Sequence, residues 1–378
     1  MKIALLGTGS FGTTMGVLLA TNLINSKNQN FSGHRISCYV RDSRKAKHFT
    51  KKRFNPSYKE LKDLIYPYNV IFSTSIEEVV KDASHIVFCY PSKYAPDILK
   101  SIKDYVSSKT KIISLVKGFH LEDNNFFTMS SLISNTLNIN IENICSLGGP
   151  NTYLEIAQNL LSTNPQFKPC NIVISSKSID TAKVFQEFYQ TNNCIRSYTS
   201  DDIISAEVCG ALKNVIAIAC GVADGYTGSK GGLGINFKAS LITRGMYEIA
   251  YLSRGIGGSF EKAFGVAGIG DTIATAFAGR SYRAGLDIAK GLTIEEVKNK
   301  YAPFEIEAFQ TLLIINNFVN TINKHNQNIH LSMPIMKAIY DVIYNKQIIT
   351  RAIADVINRD LKNEFRVDPY FAQILNTH

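Results

Sequence analysis

No Cys-x-x-Cys pair occurs in this chain of 378 residues, and its seven cysteines, at 38, 89, 145, 170, 194, 209 and 220, are odd in number and scattered. That spacing suits neither a zinc site nor a disulfide framework, so no metal is expected and the thiols read as buried groups of a reducing compartment. A recognisable export signal is also missing: the apolar start at residues 3–6 breaks at Gly7 without a small-residue cleavage pattern. No uncharged apolar run approaches the roughly 18 residues of a spanning helix. The expectation is a soluble, cytoplasmic protein with no integral membrane segment. Charge is modest, with 19% charged against 45% hydrophobic residues, which is too apolar for an intrinsically disordered chain. A chain this long exceeds a typical domain of roughly 100 to 200 residues, so two domains are expected.

The charge that is present leans one way. Lys plus Arg outnumber Asp plus Glu by 41 to 31, a formal net charge of +10, which attracts acidic small molecules, nucleic acid or an anionic membrane surface alike. The densest basic run, residues 41–53, has little aromatic interleaving and no nucleic-acid module around it. It reads as a solvated face that also meets one cofactor phosphate. Nucleic acid is not expected as a partner.

Candidate strands at 2–6, 35–40, 70–72, 85–89, 111–116 and 144–147 alternate with amphipathic segments, the pattern of repeated βαβ units. From about Asp201 the pattern changes to long segments of helical periodicity, including 205–223, 237–254 and 333–344. Polar stretches at 22–33, 122–125 and 159–168 read as surface insertions. The boundary is expected just before Ser200-Asp201-Asp202, where Ser or Asp can cap a helix. Residues 1–199 then form a dinucleotide-binding domain and 200–378 a helical substrate-binding, catalytic domain. The fold class expected is α/β: an N-terminal Rossmann-type, doubly wound and mainly parallel sheet with a second, all-helical C-terminal domain.

Gly7, Gly9 and Gly12 form G-T-G-S-F-G directly after a strand and before the apolar segment 13–20. In that context the first glycine permits the tight turn and the second lets backbone approach a pyrophosphate. The third lets helix and strand pack, and the helix end offers N–H donors to the anion. At the end of the second strand, Arg41 comes first and Asp42 next. An acid there suits the ribose hydroxyls of NAD and an arginine the extra phosphate of NADP; the order favours NADP slightly, and a shift of one residue reverses it. Lys117 follows a strand, at the edge where open α/β sheets bind ligands. Asn151 or Thr152 can cap the helix opened by residues 149–155. Lys213-Asn214 lies within an otherwise apolar helix, and an ammonium there must find a partner because burying it alone is expensive. Asp271 stands one turn from Thr275, ahead of Arg280-Ser281-Tyr282-Arg283, whose guanidiniums can grip phosphate bidentately.

Taken together, these residues resemble the glycerol-3-phosphate dehydrogenase family. The marks are GTGSFGT at 7–13, FNPSY at 54–58, YPS at 90–92, VKG at 116–118, GPNTYLEIA at 149–157 and ALKNVIAIACGVADG at 211–225. They continue with KASLITRG at 238–245, GIGDTIAT at 268–275 and MPIMKAIYDVIYNK at 333–346. The resemblance implies reversible hydride transfer between NAD or NADP and dihydroxyacetone phosphate, giving sn-glycerol 3-phosphate for phospholipid synthesis, in a homodimer. It implies Lys213 as general acid, Lys117 as a second cation near the carbonyl and Asp271 as the carboxylate that orients the ammonium. Lys117, Asn214, Asp271, Thr275, Arg280 and Ser281 would hold the substrate. The cofactor would meet Gly7, Gly9, Ser10, Phe11, Gly12, Arg41, Pro91, Lys117, Asn151, Tyr153, Arg280 and Glu305.

The chain departs from the family pattern at Ser281, where asparagine is usual, at Tyr153, Lys93 and Ile235, and at an apparent insertion over 228–232. Two other readings therefore stay open: a dehydrogenase of another phosphorylated ketose or polyol, and a non-catalytic dinucleotide-sensing protein.

Overall fold

The computed structural model describes residues 1–25, 34–123, 125–162, 168–191, 194–302, 304–325, 331–360 and 363–364. Parts of the polar stretches expected as insertions, residues 26–33, 124 and 163–167, lie outside the described residues. The chain divides into two compact units, one of residues 1–116 and 129–203, the other of 117–128 and 204–378. A single cut before Ser200 assigns 117–128 to the first half. By its contacts that segment belongs to the second.

The strands are β1 (Lys2–Leu6), β2 (Arg35–Tyr39), β3 (Val70–Ser73), β4 (His85–Phe88), β5 (Lys111–Ser114), β6 (His120–Glu122), β7 (Asn125–Phe127), β8 (Ile144–Gly148), β9 (Cys170–Ser176) and β10 (Ile195–Ser200). In the first unit eight of them form one sheet in the order β10-β9-β8-β5-β4-β1-β2-β3. Every neighbouring pair is parallel except β8 with β9. Central β1 and β4 are apolar on both faces and nearly wholly buried, whereas β10 at the edge alternates buried and exposed; strands covered by helices on both sides need no polar face. Leu6 pairs with both Tyr39 and Phe88, so β1, β2 and β4 end level. Their following residues, Gly7, Val40-Arg41 and Cys89 to Pro91, leave the sheet at one carboxyl edge, where the strand order reverses and ligands of such sheets bind.

Among the described residues the second unit is helical apart from a short antiparallel ribbon of β6 and β7. The ribbon is held by aromatics: Phe126 stacks on Phe318 at 4.4 Å and tilts against the buried Phe119 at 4.8 Å. The helix Ile203–Gly225 runs through the unit's apolar core, and most of it is buried. Among the described residues it is the one helix long and apolar enough to cross a bilayer. It crosses the helix Gly279–Ala289 at backbone contact, since a Cβ on Gly221 would lie 2.0 Å from the Tyr282 carbonyl oxygen and one on Gly285 2.2 Å from that of Ile218. Only glycine permits so close an approach.

Candidate active site

In the first unit, Gly7 takes φ of +115°, and a Cβ there would sit 1.9 Å from the Cys89 carbonyl oxygen. A Cβ on Gly12 would lie 2.3 Å from the Gly7 oxygen. Gly9 is exposed, and a Cβ there would meet only the Tyr58 hydroxyl, at 3.9 Å. The helix Ser10–Asn25 opens with Thr13 N–H donating to Gly9 O at 2.8 Å. Like any helix start, it leaves first-turn amides outside its own ladder, and no acid stands in that turn to repel an anion. Buried Asn55 braces the turn, its amide donating to Thr8 O at 2.9 Å and to Thr13 Oγ1 at 2.7 Å. Ser10 and Phe11 are half-buried at the helix start.

Arg41 stands exposed after β2. Asp42 is the N-cap of the helix Ser43–Lys52, accepting from Arg44 N–H at 2.8 Å and Lys45 N–H at 3.1 Å. The Lys45 amide first of all, then that of Arg44, holds its carboxyl below the usual carboxylate range. Pro91 is half-buried at the end of the β4 edge. Asn151 is buried, its amide donating to Gly148 O at 3.0 Å. Thr152 occupies the N-cap of the helix Tyr153–Leu161 without the side-chain cap bond expected of it. The Tyr153 hydroxyl is engaged by Glu60 Oε1 at 2.8 Å. The sheet thus gathers the glycine turn, Arg41 and Pro91 from adjacent strands, while Asn151 and Tyr153 follow β8, farther along the sheet.

In the second unit three charges converge. Lys213, in mid-helix, is only 5% exposed and Asp271 only 3%. The Lys213 ammonium is in direct contact with Asp271 Oδ2, and Lys117 Nζ reaches the same oxygen at 3.3 Å. Asp271 is placed by the wide turn Val266–Gly270 and opens the short helix Asp271–Ala276. Burial lowers the pKa of the Lys213 ammonium; Asp271 opposes that shift and the like charge of Lys117 adds to it. Asn214 is half-buried beside Lys213. Thr275 Oγ1 donates to Asp271 O at 2.7 Å, which leaves its oxygen as an acceptor.

Ser281 is buried and Arg280 exposed at the start of the helix Gly279–Ala289. Arg280 Nη1 donates to the Glu305 carbonyl at 3.0 Å, and its guanidinium lies 5.6 Å over the Phe304 ring. Glu305 is half-buried. The carboxyl of Glu307, two residues on, also lies in the field of Arg280, Lys117 and Lys213. Burial, the largest effect, pushes Glu307 up to about 7, against the pull of those three cations. Sequence reasoning missed it; the available signal was a lone acid opening the helix Glu307–His325.

A second brace was also missed. Buried Lys238 pairs with Asp224 Oδ2 at 2.5 Å, the Tyr282 hydroxyl donates to that oxygen at 2.7 Å, and the ammonium lies 4.1 Å from the Phe277 ring centre. It ties the segment after Arg280 to the helix that carries Lys213.

The sheet order and glycine turn are those of a dinucleotide-binding α/β protein. Comparison with known proteins narrows the class. A family model for the NAD-dependent glycerol-3-phosphate dehydrogenase N-terminus matches residues 2–182, and one for the C-terminus matches 202–354. Glycerol-3-phosphate dehydrogenase (NAD(P)+) of Clostridium botulinum is 31% identical over 365 residues, 96% of this chain and 99% of that one. The protein of that name in Clostridium perfringens is 32% identical with the same coverage. The fold is that of the solved glycerol-3-phosphate dehydrogenase from Coxiella burnetii, with a TM-score of 0.77 at 24% identity over 95% of this chain and 99% of that one. The enzyme of that name from Plasmodium falciparum gives a TM-score of 0.81 at 23% identity over 96% of each chain. The chain belongs to the NAD-dependent glycerol-3-phosphate dehydrogenase family.

Proposed function

We propose that this protein reversibly transfers hydride between NAD(P)H and C2 of dihydroxyacetone phosphate, giving sn-glycerol 3-phosphate for phospholipid synthesis. The observation that carries the reading is a buried lysine, Lys213, set against one carboxylate and a second ammonium. A structural ion pair gains little from burial in an apolar helix; a proton donor with a lowered pKa gains reactivity near neutral pH.

The glycine turn fits a dinucleotide pyrophosphate: at Gly9 a Cβ would come no nearer than 3.9 Å to any neighbour, the Tyr58 hydroxyl, whereas Gly7 and Gly12 have no room for a side chain. A nicotinamide bound there supplies or accepts the hydride. Lys213 gives its proton to the oxygen that turns alkoxide-like as the carbonyl is reduced, and its neutral amine takes the proton back in the oxidation direction. Asp271 holds the ammonium in place and keeps it protonated, while Lys117 lowers its pKa and adds positive charge where negative charge develops. Asn214 and Thr275 orient substrate oxygens; Arg280 with Ser281 grips the phosphate, which anchors an otherwise small triose. By the family resemblance, Arg280 and Glu305 would also meet the cofactor.

Commitment of Asp42 to its helix cap favours NADP, because the side chain left over at the end of β2 is the cation Arg41. The reading extends to a cytoplasmic homodimer that acts on a small phosphorylated ligand and not on nucleic acid. All seven cysteines are free thiols, which suits a reducing compartment. Residues 1–199 would serve the dinucleotide and 200–378 the substrate, with Lys117 contributed from the earlier segment.

Steady-state oxidation of NADPH and NADH with dihydroxyacetone phosphate tests this directly. Turnover that disappears in Lys213→Ala while dinucleotide binding persists is expected. Turnover of a longer keto-phosphate alone would replace the substrate, and dinucleotide binding without turnover of either would make the chain a sensor.

A further inference from the structure

We propose that the helix Ser43–Lys52 and the turn after residue 61 form a docking surface for an anionic lipid bilayer. The helix carries Arg44, Lys45, Lys47, Lys51 and Lys52, all exposed, and buries Ala46 and Phe49. At about 100° per residue the five cations fall on one face, opposite the two buried positions. The helix contains no acid; the carboxylate beside it, Asp42, is its N-cap.

This face is part of a rigid block. Phe49 stacks on Phe72 of β3 at 5.0 Å and meets the buried Tyr66 at 5.8 Å. The Arg53 guanidinium donates to the carbonyls of Tyr66 and Val70, each at 3.0 Å, and to that of Pro67. It lies 5.4 Å over the Phe72 ring. The last turn of the basic helix is therefore stapled to the turn that leads into β3, the sheet's outermost strand.

Large side chains stand out of the turn in that same block: Tyr68 is 82% exposed and Ile65 49%. A single exposed apolar residue needs no explanation, but two within four residues beside a basic helix face do. Aromatic and aliphatic side chains that enter the headgroup region, next to lysines that meet anionic headgroups, are the two components of interfacial binding. An isoleucine offers nothing to a phosphodiester backbone, which decides for lipid over nucleic acid. The net charge of +10 adds long-range attraction. The surface rests on its own residues and not on the substrate assignment. If that assignment holds, docking would release the product where O-acylation converts it into a bilayer amphiphile.

Flotation with vesicles of phosphatidylglycerol or of phosphatidylcholine, at low and raised salt, tests the proposal. The full chain should float with the first, not the second, and detach as salt rises. Combined Lys47→Gln, Lys51→Gln and Lys52→Gln should weaken partitioning about 100-fold, at roughly five-fold per lysine, with the dehydrogenase rate in solution unchanged. The chain contains no tryptophan, so Tyr68→Trp supplies a single indole. Its emission should shift to the blue on phosphatidylglycerol and be quenched when the acyl chains carry bromine. Failure of the native chain to float, equal flotation of the triple variant, or an unshifted indole on bound protein would each overturn the proposal. So would duplex DNA binding that the triple variant loses while its flotation is unchanged.

Discussion

Around the glycine turn of the first unit, Gly7 to Gly12 carry no charge, and what they can offer an anion is backbone N–H at the start of a helix. In the second unit the arrangement is reversed: Lys213, Asp271 and Lys117 are charged side chains brought together from three separate stretches of chain. The contrast teaches two kinds of vulnerability. A backbone-built site fails when a side chain is added, because a Cβ on Gly7 meets Cys89 O at 1.9 Å. A charge-built site fails when a side chain is removed: loss of the Asp271 carboxylate would leave the buried Lys213 ammonium beside the like charge of Lys117, a loss of about 3–5 kcal/mol.

Removing the proton donor should have the largest effect. Lys213→Ala is expected to lower kcat by about 10² to 10⁴, the usual range for a general acid, with dinucleotide affinity measured by titration unchanged; a loss of affinity as well would erase the division between the two sites. Gly7→Ala should do the converse. It should weaken dinucleotide binding and cost about 2–3 kcal/mol of stability in urea unfolding, since a non-glycine at φ of +115° is strained. Arg280→Ala should raise KM for the phosphorylated substrate about 10- to 150-fold, the equivalent of a charge-assisted contact of about 1.5–3 kcal/mol, and leave KM for the cofactor less affected. Unchanged kinetics would move the phosphate elsewhere.

The charges themselves sharpen the comparison through pH. Carbonyl reduction needs Lys213 protonated, so its rate falls as pH rises through that group's lowered pKa. Asp271→Asn removes the charge that holds the pKa up and should shift this limb to lower pH. Lys117→Met removes the charge that pushes it down and should shift the limb to higher pH, each by about one unit or more. Shifts of the same sign in the two pH–rate profiles would refute the assignment.

The smallest expected effect lies away from chemistry. Glu248 is buried and caps the helix Pro334–Tyr344, its Oε1 accepting from Ile335 N–H at 2.8 Å and its Oε2 from Met336 N–H at 3.2 Å. Burial pushes its pKa up to about 7. The folded state therefore holds this proton more tightly than the unfolded state, and the stabilisation present at low pH is lost as pH rises toward 7. Glu248→Gln should flatten that part of the thermal midpoint's pH dependence between about pH 4.5 and pH 7.

Much of the fold was legible. Six strands were read within a residue or two, β1, β4, β5 and β8 because their mostly apolar runs are those of strands covered on both sides. β9 and β10 were not, since β9 follows a polar stretch and β10 is half polar. The ribbon of β6 and β7 was hidden for another reason: its stability comes from Phe126 against Phe318, nearly two hundred residues away in sequence. At the site, Lys213 announced itself as a charge in an apolar helix. Glu307 did not, because an acid at a helix start is commonplace and its cations come from distant segments. Between Arg41 and Asp42 the order alone favoured NADP only slightly; that the Asp42 carboxylate accepts from the Arg44 amide is a fact of the fold.

The sequence by itself determined what depends on neighbours along the chain: where apolar runs make strands, where glycines force a turn, and that an ammonium in mid-helix requires a partner. Tertiary structure alone decided which partner that was, that Lys117 belongs with the second unit, and how deeply each charge is buried. The physical reason is that periodicity and backbone strain act over a few residues, whereas desolvation and ion pairing depend on atoms that only the folded chain brings within a few ångströms.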